Sequence, residues 1–259
     1  MNEMSDTLEA TIRDLKQANT ELTRDIGIRD ENERMRREFI SNVSHELKTP
    51  IALIQGYAEG LIDNVSDDEE SRQFYCEVII DEARKMNNMV KKLLSLNEIE
   101  FGSNMLNLER FDIVSMVRGV AASIDILAKS KEINVIFNEH PSIFVWADQS
   151  LIEEVVTNYI SNAMNHCSGA RVVDISFKEI DSLIRVSVFN TGEPIPEESI
   201  NNIWDKFYKV DKARTREYGG SGIGLSIVKA IMEQHNQSYG VINHSTGVEF
   251  WFELETISY

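Results

Sequence analysis

The chain has few cysteines, no long apolar run and little positive charge. Its 259 residues include two cysteines, Cys76 and Cys167. They offer no disulfide framework, so both are expected as reduced thiols in a cytosolic setting. Nowhere do about 18 apolar residues follow one another, so no segment is expected to span a bilayer. The N-terminus is polar and acidic, unlike a signal peptide. Lys and Arg number 26 against 43 Asp and Glu, giving a formal net charge of -17. That balance argues against nucleic acid as a main partner, because a phosphate backbone requires a basic face. Internal repeats and low-complexity stretches are also missing. What remains, with 42% hydrophobic and 27% charged residues, is the composition of a globular protein with one large domain or two smaller ones.

Residues 1 to 34 lack proline and contain one glycine, Gly27. Met4, Leu8, Ile12, Leu15, Asn19, Leu22 and Ile26 recur at steps of three and four, a coiled-coil seam with a polar Asn19 at one core position. Such a helix needs a partner, so a dimer is expected. The pattern is already under way at the first residue, as if the chain were cut from something longer. The seam resumes at Ile40, Val43, Leu47, Ile51, Ile54, Ala58 and Leu61. "DNVSDDEES", residues 63 to 71, breaks it with acidic and capping residues. A second helix then carries Cys76, Ile79, Ala83, Met86, Val90 and Leu93 on one face. Two such helices make a hairpin, and two hairpins make a four-helix bundle.

"EFGSNMLNLERFD", residues 100 to 112, reads as a boundary, and beyond it the period changes. "INVIFN", "IFVWAD", "VVDISFKEI", "LIRVSVFN" and "GVEFWFEL" read as strands. Helical patterns lie near 112 to 129, 149 to 166 and 222 to 235. The expected fold is an α+β sandwich, mostly one sheet under helices.

"FISNVSHELKTP" raises the question of chemistry. Val43 and Leu47 face the bundle core, and His45 lies two residues from each, roughly 200° around the helix, so it faces outward. Lys48 and Thr49 share its face, and Glu46 lies to one side. Pro50 removes an amide that would bond the carbonyl of Glu46, which predicts a kink just past His45. Three readings compete. A zinc helix needs H-E-x-x-H, but the fifth position here is Thr49. A solvated surface histidine is the bland reading. The third is a nucleophilic imidazole beside a carboxylate that takes or orients its ring proton.

An electrophile would have to come from the second half. "VVTNYISNAMNH" sets Asn158, Asn162 and His166 on one helical face, where amide oxygens suit Mg²⁺ and phosphate; solvated asparagines are the plain alternative. "VFNTGEPIP" ends a strand with Asn190 and a turn at Gly192, where backbone can approach a flat ligand. "EYGGSGIGLSIVKAI" places Gly220, Gly222, Ile223, Gly224 and Leu225 before a helical pattern, as phosphate-cradling backbone does. The lysine of a Walker loop and the preceding strand of a Rossmann fingerprint are both missing. "IWDKFYKVDKART" comes before it: an aromatic patch, then basic residues able to close over phosphates.

Taken together, these strings resemble the sensor histidine kinases of two-component signalling. "FISNVSHELKTP" is similar to their H box, "NYISNAMNH" to the N box, "NTGEPIP" to the first glycine box, "FYK" to the F box and "GGSGIGLSIVKAI" to the second glycine box. "STGVEFWFEL" resembles the closing glycine turn and strand. Six motifs in order cover residues 35 to 255. The seam before them resembles the end of a HAMP module and a signalling helix.

The resemblance implies three regions: a signalling helix over 1–34, a dimerisation and histidine phosphotransfer hairpin over 35–106, and a catalytic domain of the Bergerat (GHKL) ATPase type over 107–259. It implies that His45 attacks the γ-phosphate of ATP, with Glu46 as general base, and that Asn162 ligates Mg²⁺ with Asn158 close by. The nucleotide set would further include Asn165, His166, Asn190, Gly192, Lys209, Gly220, Gly222, Ile223, Gly224 and Leu225. The implied partners are a second copy of the chain and a response regulator, whose aspartate takes the phosphoryl group. Thr49 matches a residue that positions water for dephosphorylating that regulator. A cytoplasmic portion of a membrane sensor is implied, its transmembrane segments being absent here. Two positions depart from the pattern. Asn190 stands where aspartate usually reads the adenine amino group; its amide oxygen still accepts a hydrogen bond, without the charge. Asn165 stands where lysine or arginine often contacts phosphate. These departures keep open a nucleotide-binding scaffold without kinase activity, and Thr49 keeps open a predominant phosphatase. Chaperone and topoisomerase ATPases share the nucleotide motifs but lack "SHELKTP".

Overall fold

A computed structural model describes residues 2–63, 68–101, 106–138, 140–210 and 222–256. Two compact units divide the chain after Ile79.

The first unit is helical. Helix α1 spans Asn2–Ile62 and continues through Pro50 rather than ending there. Its long stretch without proline is rich in Glu, Arg, Leu and Met, which lose little rotamer freedom in a helix. Pairs one turn apart support it, including Arg37–Glu33 at 2.6 Å and Gln55–Glu59 at 2.9 Å. Helix α2 spans Glu69–Phe101. Asp68 accepts a hydrogen bond from the Ser71 amide at 2.7 Å, capping the helix, and Glu69 and Glu70 complement its positive end. That amide bond, and a second from the Ser71 hydroxyl, hold the Asp68 carboxyl below its ordinary pKa. Near the turn the two helices meet through rings: Tyr57 packs edge-on against Tyr75 at 5.0 Å and Phe74 at 6.1 Å. Gly60 lies against the Tyr75 ring, where a Cβ would come within 2.9 Å.

The second unit begins within α2 and runs through β1 (Glu109–Asp112), α3 (Ile113–Ser123), α4 (Asp125–Ser130), β2 (Asn134–Phe137), β3 (Phe144–Ala147), α5 (Gln149–His166), β4 (Val172–Ile180) and β5 (Leu183–Thr191). Two short 3₁₀ turns follow, then α6 (Gly224–Gln234), β6 (Tyr239–His244) and β7 (Gly247–Glu255). Five strands form one sheet in the order β2-β4-β5-β7-β6, with β2 parallel to β4 and the other pairs antiparallel. A separate two-stranded ribbon pairs β1 with β3.

Alternation decides which side of the sheet is covered. Val173 and Ile175 of β4, Ile184, Val186 and Val188 of β5, and Val248, Phe250, Phe252 and Leu254 of β7 are buried and pair across strands. Val155, Val156 and Tyr159 of α5 and Ile227, Val228 and Ile231 of α6 complete this core. The expected sandwich of one sheet and helices is therefore present. Strands β1 and β6 are additional: β1 lies inside the expected boundary, and the helical pattern near 112 to 129 divides at Ile124 into α3 and α4.

Candidate active site

His45 and Thr49 are exposed on α1, while Glu46 is half-buried and Pro50 buried. The outward direction read from the seam agrees with this exposure. Just before it, the Ser44 hydroxyl returns to the Ile40 carbonyl at 2.8 Å.

In the second unit a cavity of about 490 Å³ opens, a size suited to a nucleotide. Helix α5 forms one wall. It starts at Asp148, which accepts from the Leu151 amide at 3.2 Å, the Ser150 hydroxyl at 2.7 Å and the Asn107 amide at 3.0 Å. Burial pushes the Asp148 carboxyl up, but these donors outweigh it and hold its pKa below the ordinary value. From that fixed start, helical spacing brings Asn158, Asn162, Asn165 and His166 to the cavity wall.

Asn158 is nearly buried and donates to the Glu154 carbonyl at 2.9 Å. Its side-chain oxygen would lie 2.8 Å from a Cβ on Gly224, so a larger residue there would collide with it. Asn162, half-buried, makes no hydrogen bond to the described residues. Asn165 accepts from the Lys131 ammonium at 3.1 Å. A cation thus sits beside the position where the sequence lacks one.

The sheet supplies the opposite wall. Asn190 follows Ile184, Val186 and Val188 in the β5 alternation, so its side chain is on the inner face and 97% shielded (3% exposed). Its nitrogen donates to the Thr191 carbonyl at 3.2 Å, which leaves the amide oxygen as the acceptor. Val248 and Phe250 continue this wall, and Ile195 is pinned to it by two bonds with the Asn243 amide, at 3.0 and 2.7 Å. Cys167 also lines the cavity, its thiol 3.4 Å from the Val172 carbonyl and 3.6 Å from the Thr191 hydroxyl.

Lys209, Gly222, Gly224 and Leu225 close the remaining side. Gly222 has φ +68 and its carbonyl accepts from the Phe207 amide at 2.8 Å; a Cβ would meet that backbone at 2.9 Å. Helix α6 begins after Ile223 without a side-chain cap, which leaves its first amides to an anion.

Two expected nucleotide residues do not line the cavity. Ile223 is fully buried in the core, because it anchors the start of α6. Gly192 lies behind the wall against the His166 carbonyl. Gly220 and the basic residues from 211 lie outside the described residues. Lys92, Glu193, Ile195, Tyr208 and Phe250 line the cavity without having been singled out. Ile195 and Tyr208 fall inside quoted motifs, whereas nothing local in the sequence marks Lys92. Among the described residues no group of three or more His, Cys, Asp or Glu could hold a metal ion, and no helix is long and apolar enough to cross a membrane.

An outward histidine on a helical hairpin, followed by a nucleotide-sized cavity between one sheet and its helices, defines a class. Residues 35–102 match the His Kinase A (phospho-acceptor) domain, and residues 147–257 match the histidine kinase-, DNA gyrase B- and HSP90-like ATPase family. With both in this order, the chain belongs to the sensor histidine kinases, and its ATPase domain implies ATP binding. Among particular relatives, it is 33% identical over 216 residues to the sensor protein kinase WalK of Staphylococcus aureus, covering 82% of this chain and 51% of WalK. It is 33% identical over 210 residues to the sensor protein SrrB of Staphylococcus aureus, covering 81% of this chain and 36% of SrrB. The chain thus spans about half the length of these relatives, or less. The histidine kinase ThkA, solved in complex with the response regulator protein TrrA, is 27% identical with a TM-score of 0.70, over 85% of this chain and 61% of ThkA. The Acinetobacter baumannii histidine kinase AdeS, at 22% identity and a TM-score of 0.67 over 83% of this chain and 98% of AdeS, shares the fold.

Proposed function

We propose that this chain phosphorylates His45 from ATP and passes the phosphoryl group to an aspartate of a response regulator. The observation that carries the reading is one cavity gathering side chains from three separate motifs, in a chain whose only H-box histidine faces solvent. A ring nitrogen of His45 bonds to the γ-phosphorus while the bond to the bridging oxygen of ADP breaks; Glu46 takes the ring proton. Phosphoryl transfer of this kind is mainly positioning and charge neutralisation.

The adenine fits the end of the cavity beside Asn190, Val248 and Phe250, where the Asn190 oxygen accepts from its amino group. The phosphates run along α5 toward Asn158 and Gly224, with Lys209, Gly222 and Leu225 around them, while Asn165 and His166 stand nearer the adenine end. Gly192 and Ile223 serve by holding backbone, and Gly220 belongs to the same phosphate loop. Mg²⁺ suits the amide oxygen of Asn162, which has no hydrogen-bond partner among the described residues, together with phosphate oxygens and water. When bound there it would neutralise phosphate charge.

The same reading includes a homodimer through α1, whose Leu15, Asn19, Leu22 and Ile26 are exposed along one seam. It assigns 1–34 to a signalling helix, 35–106 to the phosphotransfer hairpin and 107–259 to the catalytic domain. It places the chain as the cytoplasmic portion of a membrane sensor. The complex of ThkA with TrrA supports a response regulator as the partner.

The test is incubation with radiolabelled ATP and Mg²⁺, wild type beside His45→Gln. Acid-labile, alkali-stable label in the wild type and none in the variant is expected; label that persists in His45→Gln would sink the assignment. Thr49, exposed one turn beyond His45, supports a second activity in dephosphorylating the regulator. Thr49→Ala is expected to spare autophosphorylation and slow that hydrolysis.

A further inference from the structure

Among the residues lining the nucleotide cavity, Lys92 alone comes from α2. The helix that carries it is fastened to the ATPase domain close by. Three residues on, the Ser95 hydroxyl donates to the Glu154 carboxylate at 3.1 and 3.2 Å. Four residues on, Leu96 is buried in the domain core with 1% of its surface exposed. At the end of the helix, Glu100 pairs with Lys206 at 2.7 Å. Residues three and four apart share a helix face, so this docking face is the one that holds Lys92 at the cavity.

Glu154 also fixes which end of the cavity Lys92 reaches. It lies one turn before Asn158 on α5, and Asn158 is the residue packed against Gly224 at the uncapped start of α6. His166, at the Asn190 end, is eight residues further along α5, about 12 Å at the helical rise. That span is comparable to the distance between a purine and the outer phosphates joined to it. The Lys92 ammonium has no hydrogen-bond or ion-pair partner among the described residues, although the Glu154 charge is near. Burial lowers its pKa from the ordinary lysine value, with Glu154 acting in the opposite direction. A half-buried cation without a direct partner is costly, and an anion entering the cavity would relieve that cost.

We infer that Lys92 is a phosphate ligand supplied by the hairpin: with α2 docked, its ammonium binds the outer phosphates of the nucleotide. The inference rests on the ATP reading above. It makes the cavity complete only when α2 is seated, so nucleotide charge and α2 docking favour each other.

The test compares wild type, Lys92→Met and Lys92→Arg in the full chain. Calorimetry would measure ATP and ADP binding, and NMR titration would measure adenosine. Lys92→Met should weaken ATP by about tenfold, the effect of losing one charge-assisted hydrogen bond, and ADP by less. Adenosine binding should not change, and Lys92→Arg should stay within about threefold of wild type for ATP, since it keeps the charge. Equal weakening of ATP and adenosine by Lys92→Met would mean a structural effect and overturn the inference. So would ATP binding unchanged in Lys92→Met. Wild-type protein that binds neither ATP nor ADP would instead overturn the ATP reading itself.

Discussion

The two compact units handle their apolar residues in opposite ways. Along α1, Leu15, Leu22, Ile26 and Ile40 are more than half exposed. In the second unit Val117, Val155, Ile175, Ile231 and Phe252 are completely buried. The sheet and helices of the ATPase domain close a core within one chain. A single amphipathic helix has no second layer of its own, so its stripe calls for another helix. If α1 pairs with a second copy as proposed, the difference separates two kinds of stability, one intrinsic to the chain and one set by protein concentration.

The largest effect should come from breaking the intrinsic core. Phe252→Ala removes a buried ring that packs near Tyr159 at 6.2 Å, and should cost about 3–5 kcal/mol. Thermal unfolding followed by near-UV circular dichroism should show the loss in the ATPase transition; an unchanged midpoint would contradict its central place. Next, Leu22→Asp puts a charge into the α1 seam. Sedimentation should show the dimer weakened by at least about tenfold, while the ATPase transition stays put. A dimer as tight as wild type would mean that the seam is not the interface.

The smallest effect concerns Asp148. Asp148→Ala removes the cap of α5 and should cost about 1 kcal/mol at neutral pH. The folded carboxyl has a pKa below its ordinary value. Its contribution is therefore complete above the unfolded pKa of about 4 and is lost as pH falls through the lowered folded value. The gap between wild type and variant should narrow below about pH 4 in melting curves. A gap that stays constant to pH 2 would mean that the charged form is not what caps the helix.

Much of this was legible locally. Period-two alternation marked β2, β3, β4, β5 and β7, and seam spacing placed His45 outward. The N box, both glycine boxes and the F box each contributed side chains or backbone to one cavity. What escaped depends on tertiary partners. "ERFD" offers only Phe111 to a core, and becomes β1 because β3 pairs with it. Strand β6 has no fully buried residue and is an edge strand held by β7. Ile223 sits inside a glycine motif, yet its side chain belongs to the core, since only the backbone around it faces the cavity. Lys92 was invisible because its place is set by Ser95, Leu96 and Glu100 gripping another domain. A helical period says which residues share a face, not what that face will meet.

The two thiols stand in contrasting surroundings. Cys76 is exposed on α2, while Cys167 is part-shielded in the cavity wall beside Thr191. An alkylating reagent should therefore label the chain in two kinetic phases, a fast one from the helix and a slow one from the wall. Only the slow phase should respond to what fills the cavity. The chain thus carries its own occupancy gauge, readable by mass spectrometry without any added probe.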